Sequence, residues 1–198
     1  QFKFRFGGRY DKFEQNFDVR TGTRPPPQDV TEFSPQVGLV YESSDQLTWY
    51  AAWARGFRPN SGFDFQRRPF EPEEAESYEV GLKFAAFDRR INGTVAVFKM
   101  EKSNVITADP ANAGFSLAIG EARSEGLELE ASGELPADFR FNFAYAYTKA
   151  ESASNVRDPD FGRVVAVGDP LINIPEHSAN LLLFKDFKLA QRNLTVGA

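Results

Sequence analysis

Residues 139–148 read FRFNFAYAYT, and this stretch decides the fold class. Every odd position holds phenylalanine or tyrosine, and every even position holds a polar or small residue. Successive side chains of a β-strand point to opposite faces, so the segment has one aromatic face and one polar face. A helix would need apolar residues three and four positions apart, and no long segment of the chain offers that spacing. The sequence therefore predicts an all-β protein with almost no helix.

The same two-residue period recurs along the chain. It is clear in Phe2, Phe4 and Phe6, and again between Tyr78 and Phe84. We expect strands at about 2–10, 33–43, 47–57, 77–87, 90–102, 115–133, 139–150 and 177–187, with a ninth beginning near 193. Most of these run to about ten residues or more, whereas ordinary strands average about five or six. A tilted strand that crosses a bilayer needs roughly 9–11 residues, so strand length favours a membrane-spanning sheet.

The links between the expected strands alternate in length. Long links run from 10 to 33, from 57 to 77 and from 150 to 176, and the link from 102 to 115 is intermediate. Short links run from 43 to 47, from 87 to 90, from 133 to 138 and from 186 to 193. This rhythm is typical of an antiparallel up-and-down transmembrane β-barrel, which has long loops at one rim and short turns at the other. A Greek-key sandwich has no reason to alternate in this way.

In a barrel, the two faces of each strand lie in different surroundings. The aromatic and aliphatic face would meet lipid, and the charged and polar face would line a wet lumen. On the lumen face we place Lys3, Arg5, Glu79, Lys83, Glu128, Glu130, Arg140 and Asn142. In a soluble sandwich the same rings would point into a core, and alternation alone does not separate the two. Strand length and link rhythm favour the barrel.

Composition excludes several classes of function. The chain has 198 residues, no cysteine, one histidine and a formal charge of −5. No apolar run approaches the roughly 18 residues that a membrane helix needs. Without cysteine, and with a single histidine, the chain has no thiol nucleophile and no multi-histidine metal site. The net negative charge and the lack of a basic block argue against nucleic acid as a partner.

No motif indicates catalysis, a cofactor or a bound metal. Glu128 and Glu130 share one face of one strand, whereas acid–base pairs need unequal environments and as a rule come from different elements. His177 has no evident orienting partner. Asp158-Pro159-Asp160 with Asp169 could offer calcium ligands, but the spacing does not match an EF-hand, and aspartate is common in turns. We therefore expect a protein that is not an enzyme and has no catalytic residues, cofactor or metal site.

One segment resembles a known family. Gly56-Phe57-Arg58-Pro59, followed after a variable loop by the stretch from Pro72 to Lys83, is similar to the barrel of TonB-dependent outer-membrane receptors. Supporting stretches occur in the family's order at 8–11, 34–41, 121–130 and 174–180. The same residues also have a plain structural meaning. Pro59 and Pro72 cannot donate to a ladder, so pairing stops on either side of the loop.

The resemblance implies a bacterial outer-membrane protein surrounded by lipid. The family's barrel has 22 strands and an N-terminal plug, and it imports ligands such as ferric siderophores with energy from TonB. Nine strands would be part of such a barrel, so we expect residues 1–198 to form one partial barrel domain. The plug, the terminal strands and the segment that contacts TonB would lie outside these residues. Two alternatives stay open: a receptor of the same family for a sugar, peptide or cobalamin, or a soluble all-β ligand-binding module.

The best candidates for ligand contact lie in two long links expected on the same rim. They combine rings with guanidinium groups, as an anionic, ring-bearing ligand such as a ferric catecholate would require. The first set is Phe63, Phe65, Arg67, Arg68 and Phe70. The second set is Arg157, Phe161 and Arg163. The alternative is a loop that packs its own rings onto its neighbours.

Overall fold

The computed structural model describes residues 1–16, 18, 20, 26–109, 111–157, 163–189 and 192–198, with the side chain of Leu189 excepted. These residues form one nine-stranded antiparallel sheet and one small hairpin. The strands are β1 (Phe2–Gln15), β2 (Gln28–Glu42), β3 (Leu47–Arg58), β4 (Glu73–Ala86), β5 (Ile91–Ala108), β6 (Ser116–Leu135), β7 (Phe139–Ser152), β8 (Val156–Arg157), β9 (Val164–Val165), β10 (His177–Leu189) and β11 (Arg192–Gly197). No helix in this part of the chain is long and apolar enough to cross a membrane.

The sheet is an up-and-down meander. Its order is β1-β2-β3-β4-β5-β6-β7-β10-β11, so each strand pairs with its neighbour in sequence, apart from the β8–β9 hairpin inserted in the last long link. All nine expected strands are present, and the long and short links lie at opposite ends of the sheet as predicted. We call these ends the long-link rim and the short-turn rim.

The strands reach further toward the long-link rim than the sequence predicts. β1 continues to Gln15, β2 begins at Gln28, β4 begins at Glu73 and β5 continues to Ala108. These extensions carry mainly polar residues such as the cross-strand pair Glu14 and Asp29. Backbone pairing does not require apolar side chains, whereas the period-two signal detects only the amphipathic part of a strand.

The register separates two faces. Residues directly opposite each other in paired strands point to the same side of the sheet. One row of successive partners is Tyr41, Trp49, Leu82, Val95, Leu129 and Tyr145. A row of the opposite face is Thr48, Lys83, Thr94, Glu130, Ala144 and Asn180. We call the two sides the aromatic face and the polar face.

The sheet does not cover its own aromatic face. β1 and β11 are edge strands, so the sheet is not closed. Among the described residues, Phe70, Ala96 and Ala150 are the only buried apolar side chains, whereas Phe6 is 86% exposed. A soluble sandwich would bury such rings against a second sheet, and the small β8–β9 hairpin cannot do so. The fold therefore favours the barrel over the sandwich.

Two glycines of the polar face allow rings to lie flat on the sheet. Gly81 is the cross-strand partner of Tyr50, and Gly126 is the partner of Phe98. A side chain at Gly81 would collide with the Tyr50 ring, and one at Gly126 would collide with the Tyr147 carbonyl and meet the Phe98 ring at 2.9 Å. Rings that cover glycines in this way hide the bare backbone and fix the register.

Candidate ligand-binding rim

The long-link rim brings the described members of the two predicted sets of ligand residues to one end of the sheet. The first set lies in the link between β3 and β4, and the second in the link between β7 and β10. The turn between β5 and β6 lies on the same rim, because an antiparallel meander returns every second link to the same end. The rim is therefore built by several links that are distant in sequence.

Residues 62–70 form a tight hairpin, which we call the rim hairpin. Phe63 lies opposite Pro69, and the amide of Phe70 donates to the Gly62 carbonyl at 3.2 Å. The amide of Asp64 donates to the Arg68 carbonyl at 2.9 Å. Arg67 adopts a left-handed conformation with φ of 64°. The chain thus reverses within 64–68 and carries the first candidate set on both of its arms.

The rim hairpin is closed by an internal ion pair. The Asp64 carboxylate accepts hydrogen bonds from the Arg68 amide at 2.9 Å and from the Arg68 Nε at 2.7 Å. Burial raises the pKa of Asp64, but the hydrogen bonds and the charge of Arg68 outweigh it, so the pKa falls below the ordinary 3.8. The Arg68 side chain is otherwise largely exposed, so it both closes the turn and presents donors to solvent.

The two phenylalanines at 65 and 70 differ in environment. Phe70 is buried beneath the hairpin, where its carbonyl accepts a hydrogen bond from Gln28 at 2.6 Å. Phe65 is 53% exposed and meets Phe115 edge to face, with ring centroids 5.1 Å apart. Edge-to-face pairs stabilise contacts beyond their buried area. Phe70 therefore anchors the rim hairpin, and Phe65 joins it to the next link.

Phe115 is held by a capped turn. The Asp109 carboxylate accepts hydrogen bonds from the amides of Ala111 at 2.8 Å and Asn112 at 3.1 Å, and from the Asn112 side chain at 2.8 Å. The bond from the Asn112 side chain is the main reason that the pKa of Asp109 lies below its ordinary value. The amide of Phe115 in turn donates to the Asn112 carbonyl. The turn thus fixes the ring that Phe65 contacts.

Two asparagines tie the base of the rim hairpin to β5, and we call them the asparagine latch. Asn60 is 4% exposed and donates to the carbonyls of Glu71 and Asn104, both at 2.8 Å. Asn104 donates to the Pro72 carbonyl at 2.9 Å. Asn104 has φ of 57° and lies where the β5–β6 register shifts. This irregularity turns the Asn104 carbonyl and side chain toward the loop.

Sequence reasoning missed the asparagine latch and the capped turn that holds Phe115. The Asp-Pro-Ala-Asn turn that begins at Asp109 was a local signal, since aspartate and asparagine cap turns through their own side chains. Nothing in a single sequence indicates that Asn60 reaches Asn104. That contact depends on the register of β4 with β5.

The second candidate set is only partly described. Arg157 lies in β8 and faces Val164 of β9 in the pairing, and Arg163 precedes β9. Both are exposed. Phe161 lies outside the described residues, as do Asp158 and Asp160 of the calcium alternative.

Two further polar candidates, Asp169 and His177, have structural partners. Asp169 accepts a hydrogen bond from the Ala166 amide at 2.9 Å and so caps its own turn. Nδ1 of His177 lies 2.9 Å from the Tyr145 hydroxyl on the aromatic face. In the described ranges, no three His, Cys, Asp or Glu side chains converge in a way that could hold a metal ion.

Comparison with known proteins identifies the family. The model of the TonB dependent receptor-like β-barrel matches residues 1–197. The chain belongs to this family. The up-and-down sheet, its long strands and its alternating links are thus those of a TonB-dependent receptor barrel.

Several curated members of the family are similar to this chain. It is 34% identical to the metal-pseudopaline receptor of Pseudomonas aeruginosa, over 92% of this chain and 26% of that protein. It is 31% identical to the ferrichrome outer membrane transporter/phage receptor of Escherichia coli K12, over 88% of this chain and 22% of that protein. The chain therefore spans about a quarter of the length of these relatives.

Solved TonB-dependent receptors share the fold. The siderophore receptor PiuA of Acinetobacter baumannii superposes with a TM-score of 0.79 at 22% identity, covering 99% of this chain and 30% of that one. The ferripyoverdine receptor of Pseudomonas aeruginosa gives a TM-score of 0.73 at 26% identity, covering 99% of this chain and 25% of that one. The nine strands thus superpose on part of a larger barrel.

Proposed function

We propose that this chain is part of a bacterial outer-membrane receptor that imports ferric siderophores. The family match over residues 1–197 carries the proposal, together with relatives that are named as ferrichrome and ferripyoverdine receptors. TonB would supply energy through a part of the receptor outside these residues. The relatives are receptors and transporters, and we assign the chain no catalytic role.

The exposed aromatic face supports the placement in a membrane. Phe4 and Phe6 of β1, like Leu181 of β10, are more than half exposed. Leaving a large apolar side chain in water forgoes roughly 1.5–3 kcal/mol. Lipid would cover these side chains, while the row that holds Lys83, Thr94 and Glu130 would line the lumen.

The ligand surface of the rim combines rings and cations. Phe65 and Phe115 form an exposed ring pair, and the Arg68 guanidinium extends from the same hairpin. Phe63, Arg67, Arg157, Phe161 and Arg163 complete the proposed set, and Phe70 supports it from beneath. Guanidinium groups suit anionic chelates, and rings suit ligands with aromatic or apolar parts. A ferric catecholate has both features.

One relative favours a second candidate ligand. The metal-pseudopaline receptor is 34% identical, which is higher than the ferrichrome and ferripyoverdine receptors. The same rim could therefore receive a chelate of another metal. A sugar, peptide or cobalamin would need no cation at this place, and it is the weaker alternative.

Growth rescue tests the proposal. The full-length receptor is expressed in a strain that lacks its own siderophore receptors, and each ferric chelate is supplied as the only iron source. We expect growth on at least one ferric chelate, and loss of that growth in the Phe65→Ala, Phe115→Ala double variant. Failure to grow on every ferric chelate, with the receptor present in the membrane, would contradict the siderophore assignment.

A further inference from the structure

Strands β2 and β3 separate before they reach the long-link rim. Their last cross-strand pair is Gln36 with Ala54, although β1 and β2 stay paired as far as Gln28, and β3 and β4 as far as Arg58. Pro35 lies next to this last pair, and its ring nitrogen has no hydrogen to donate to a neighbouring strand. Residues 28–35 of β2 and 55–58 of β3 therefore turn unpaired edges toward each other. We call this split the β2–β3 seam.

A cavity of about 310 Å³ lies at the closed end of the seam. Its walls come from both strands, with Ser34 and Pro35 on one side and Ala54 and Gly56 on the other. A side chain at Gly56 would have no neighbour within 4 Å. The two strands are thus not packed against each other here, in contrast to the close packing of a protein interior.

Side chains bridge the open end of the seam. Gln28 donates from Nε2 to the Phe70 carbonyl at 2.6 Å, and Gln15 donates from Nε2 to the Ser61 hydroxyl at 3.2 Å. Gln15 and Gln28 are directly opposite each other in the β1–β2 pair. Both bridges therefore join β1 and β2 to the link that contains the rim hairpin. We call these two glutamines the glutamine clasp.

The hydrogen bonding of the glutamine clasp is incomplete. The Oε1 atoms of Gln15 and Gln28 are buried, and neither has a hydrogen-bond partner among the described residues. The same holds for the hydroxyl of Ser34 within the seam. Gln28 as a whole is only 5% exposed. Because a buried acceptor without a donor lowers stability, access of water to these atoms would offset part of the cost of opening the seam.

We propose that the ends of β1 and β2 at the long-link rim swing away from β3 about the Gln36–Ala54 pair, and that this movement admits the ligand to the rim. The inference rests on the proposed function, because it assigns a regulation to the same rim. Strand edges that are not paired can move apart without breaking a ladder, so the last shared pair is the hinge. In the full-length barrel, the strand that precedes β1 would move with it.

The movement would change what holds the rim hairpin. The asparagine latch joins the base of the hairpin to β5, and the glutamine clasp joins it to β1 and β2. When the clasp opens, the hairpin would stay on β5 and the glutamine oxygens would become accessible. Amide oxygens accept hydrogen bonds from N–H and O–H groups. The open rim would therefore suit a chelate that carries amide or hydroxyl donors.

Distances across the seam test the movement without any ligand. Spin labels are attached to Thr31→Cys in β2 and Glu101→Cys in β5 of the full-length receptor, both at exposed positions, and their separation is measured by double electron–electron resonance. We expect two populations of distances. The longer one should grow when the clasp is removed by Gln15→Ala and Gln28→Ala.

The short-turn rim supplies the matched control for the distances. Ser44→Cys and Asp88→Cys lie at exposed turns that join β2 to β3 and β4 to β5, where the strands stay paired. We expect one distance there, with or without the clasp. A single distance across the seam that does not change when the clasp is removed would overturn the proposal.

A reversible cross-link tests the regulation. Gln15→Cys and Ser61→Cys are joined by a short linker that contains a disulfide, which holds the clasp closed. Uptake of radioactive iron from each ferric chelate of the growth test is then measured in cells. We expect uptake to fall roughly tenfold or more, because a ligand cannot use a state that is no longer populated, and to return when the linker is reduced.

A second cross-link controls for the chemistry. Lys12→Cys and Thr31→Cys are directly opposite each other in the β1–β2 pair, so the same linker joins two strands that move together. Uptake should be unchanged there. Uptake that is unaffected by the clasp cross-link, or equally reduced by both cross-links, would overturn the proposal. A reduced receptor that is present in the outer membrane but imports iron from no ferric chelate would instead refute the proposed function.

Discussion

At the scale of single residues, three polar side chains fix the shape of the long-link rim through hydrogen bonds within the protein. This role does not require them to contact a ligand. Asp64 closes the rim hairpin, Asp109 caps the neighbouring turn, and Asn60 fastens the hairpin to β5. Each satisfies backbone groups of a loop that would otherwise depend on water. The exposed rings of Phe65 and Phe115 are therefore held in place before any ligand arrives.

Removing the Asn60 side chain from the asparagine latch should weaken ligand binding without unfolding the barrel. Asn60→Ala leaves the carbonyls of Glu71 and Asn104 without their donor, at a cost of about 1–3 kcal/mol for buried groups. We expect faster amide hydrogen exchange in 62–70 of the full-length receptor and a lower affinity for the proposed ferric chelate. Gln66→Ala, at an exposed position of the same hairpin, is the control and should change neither. Unaltered exchange in Asn60→Ala would contradict the latch.

The two aspartates give the rim a defined dependence on pH. Their pKa values in the fold lie below the ordinary 3.8, so the charged forms stabilise the loops above that pH. This stability is lost as pH falls through the lowered pKa values. We expect ligand affinity to be flat between pH 5 and pH 8 as far as these groups are concerned. Protection of 62–70 against exchange should fall only below about pH 3.8, and Asp64→Asn should lower it at neutral pH. Full protection of that variant at pH 7 would show that the Asp64 charge has no role.

At the scale of elements, the strands were the most predictable part of the chain. The FRFNFAYAYT stretch and its counterparts reveal their period because one face is apolar, and the structure confirms all nine strands. The period fails where both faces are polar, which is why the extensions from Gln28 and to Gln15 were missed. The rim was less predictable. Phe65 could be singled out from its loop, but its partner Phe115 depends on how β4, β5 and β6 align.

A charged side chain should destabilise the barrel on one face of β7 and have little effect on the other. Phe143 lies on the aromatic face between Ala131 and Leu181, and Asn142 lies on the polar face. Phe143→Arg should cost about 2–4 kcal/mol of barrel stability, and Asn142→Arg should be nearly neutral. Urea unfolding of the full-length receptor in lipid vesicles measures both. Equal losses would contradict the assignment of faces.

The ring–glycine pairs make a second prediction for the strands. Gly81→Ala pushes a methyl group into the Tyr50 ring, whose hydroxyl bonds Glu79 at 2.6 Å, and should cost about 1–3 kcal/mol. Gly38→Ala is the control, because a side chain there meets its nearest neighbour at 3.8 Å. The unfolding midpoints of the two variants should therefore differ. Equal midpoints would mean that the Tyr50 ring does not lie over Gly81.

At the scale of the whole molecule, the described part of the chain exposes surfaces that a closed barrel would cover. The edges of β1 and β11 offer unpaired backbone groups, and none of the described segments covers the aromatic face. The isolated chain should self-associate or require detergent, and sedimentation in buffer with and without detergent measures this. A stable monomer in buffer without detergent would favour the alternative of a soluble all-β ligand-binding module.

A membrane-spanning barrel requires that the aromatic face lies in the lipid and that the polar face lines a lumen. Single cysteines at 142 and 143 of the full-length receptor, labelled in intact outer membranes with a water-soluble maleimide, test it most directly. We expect the cysteine of Asn142→Cys to react, because its side chain faces water, and the cysteine of Phe143→Cys to be protected by lipid until detergent is added. Equal labelling of the two positions in intact membranes would contradict it.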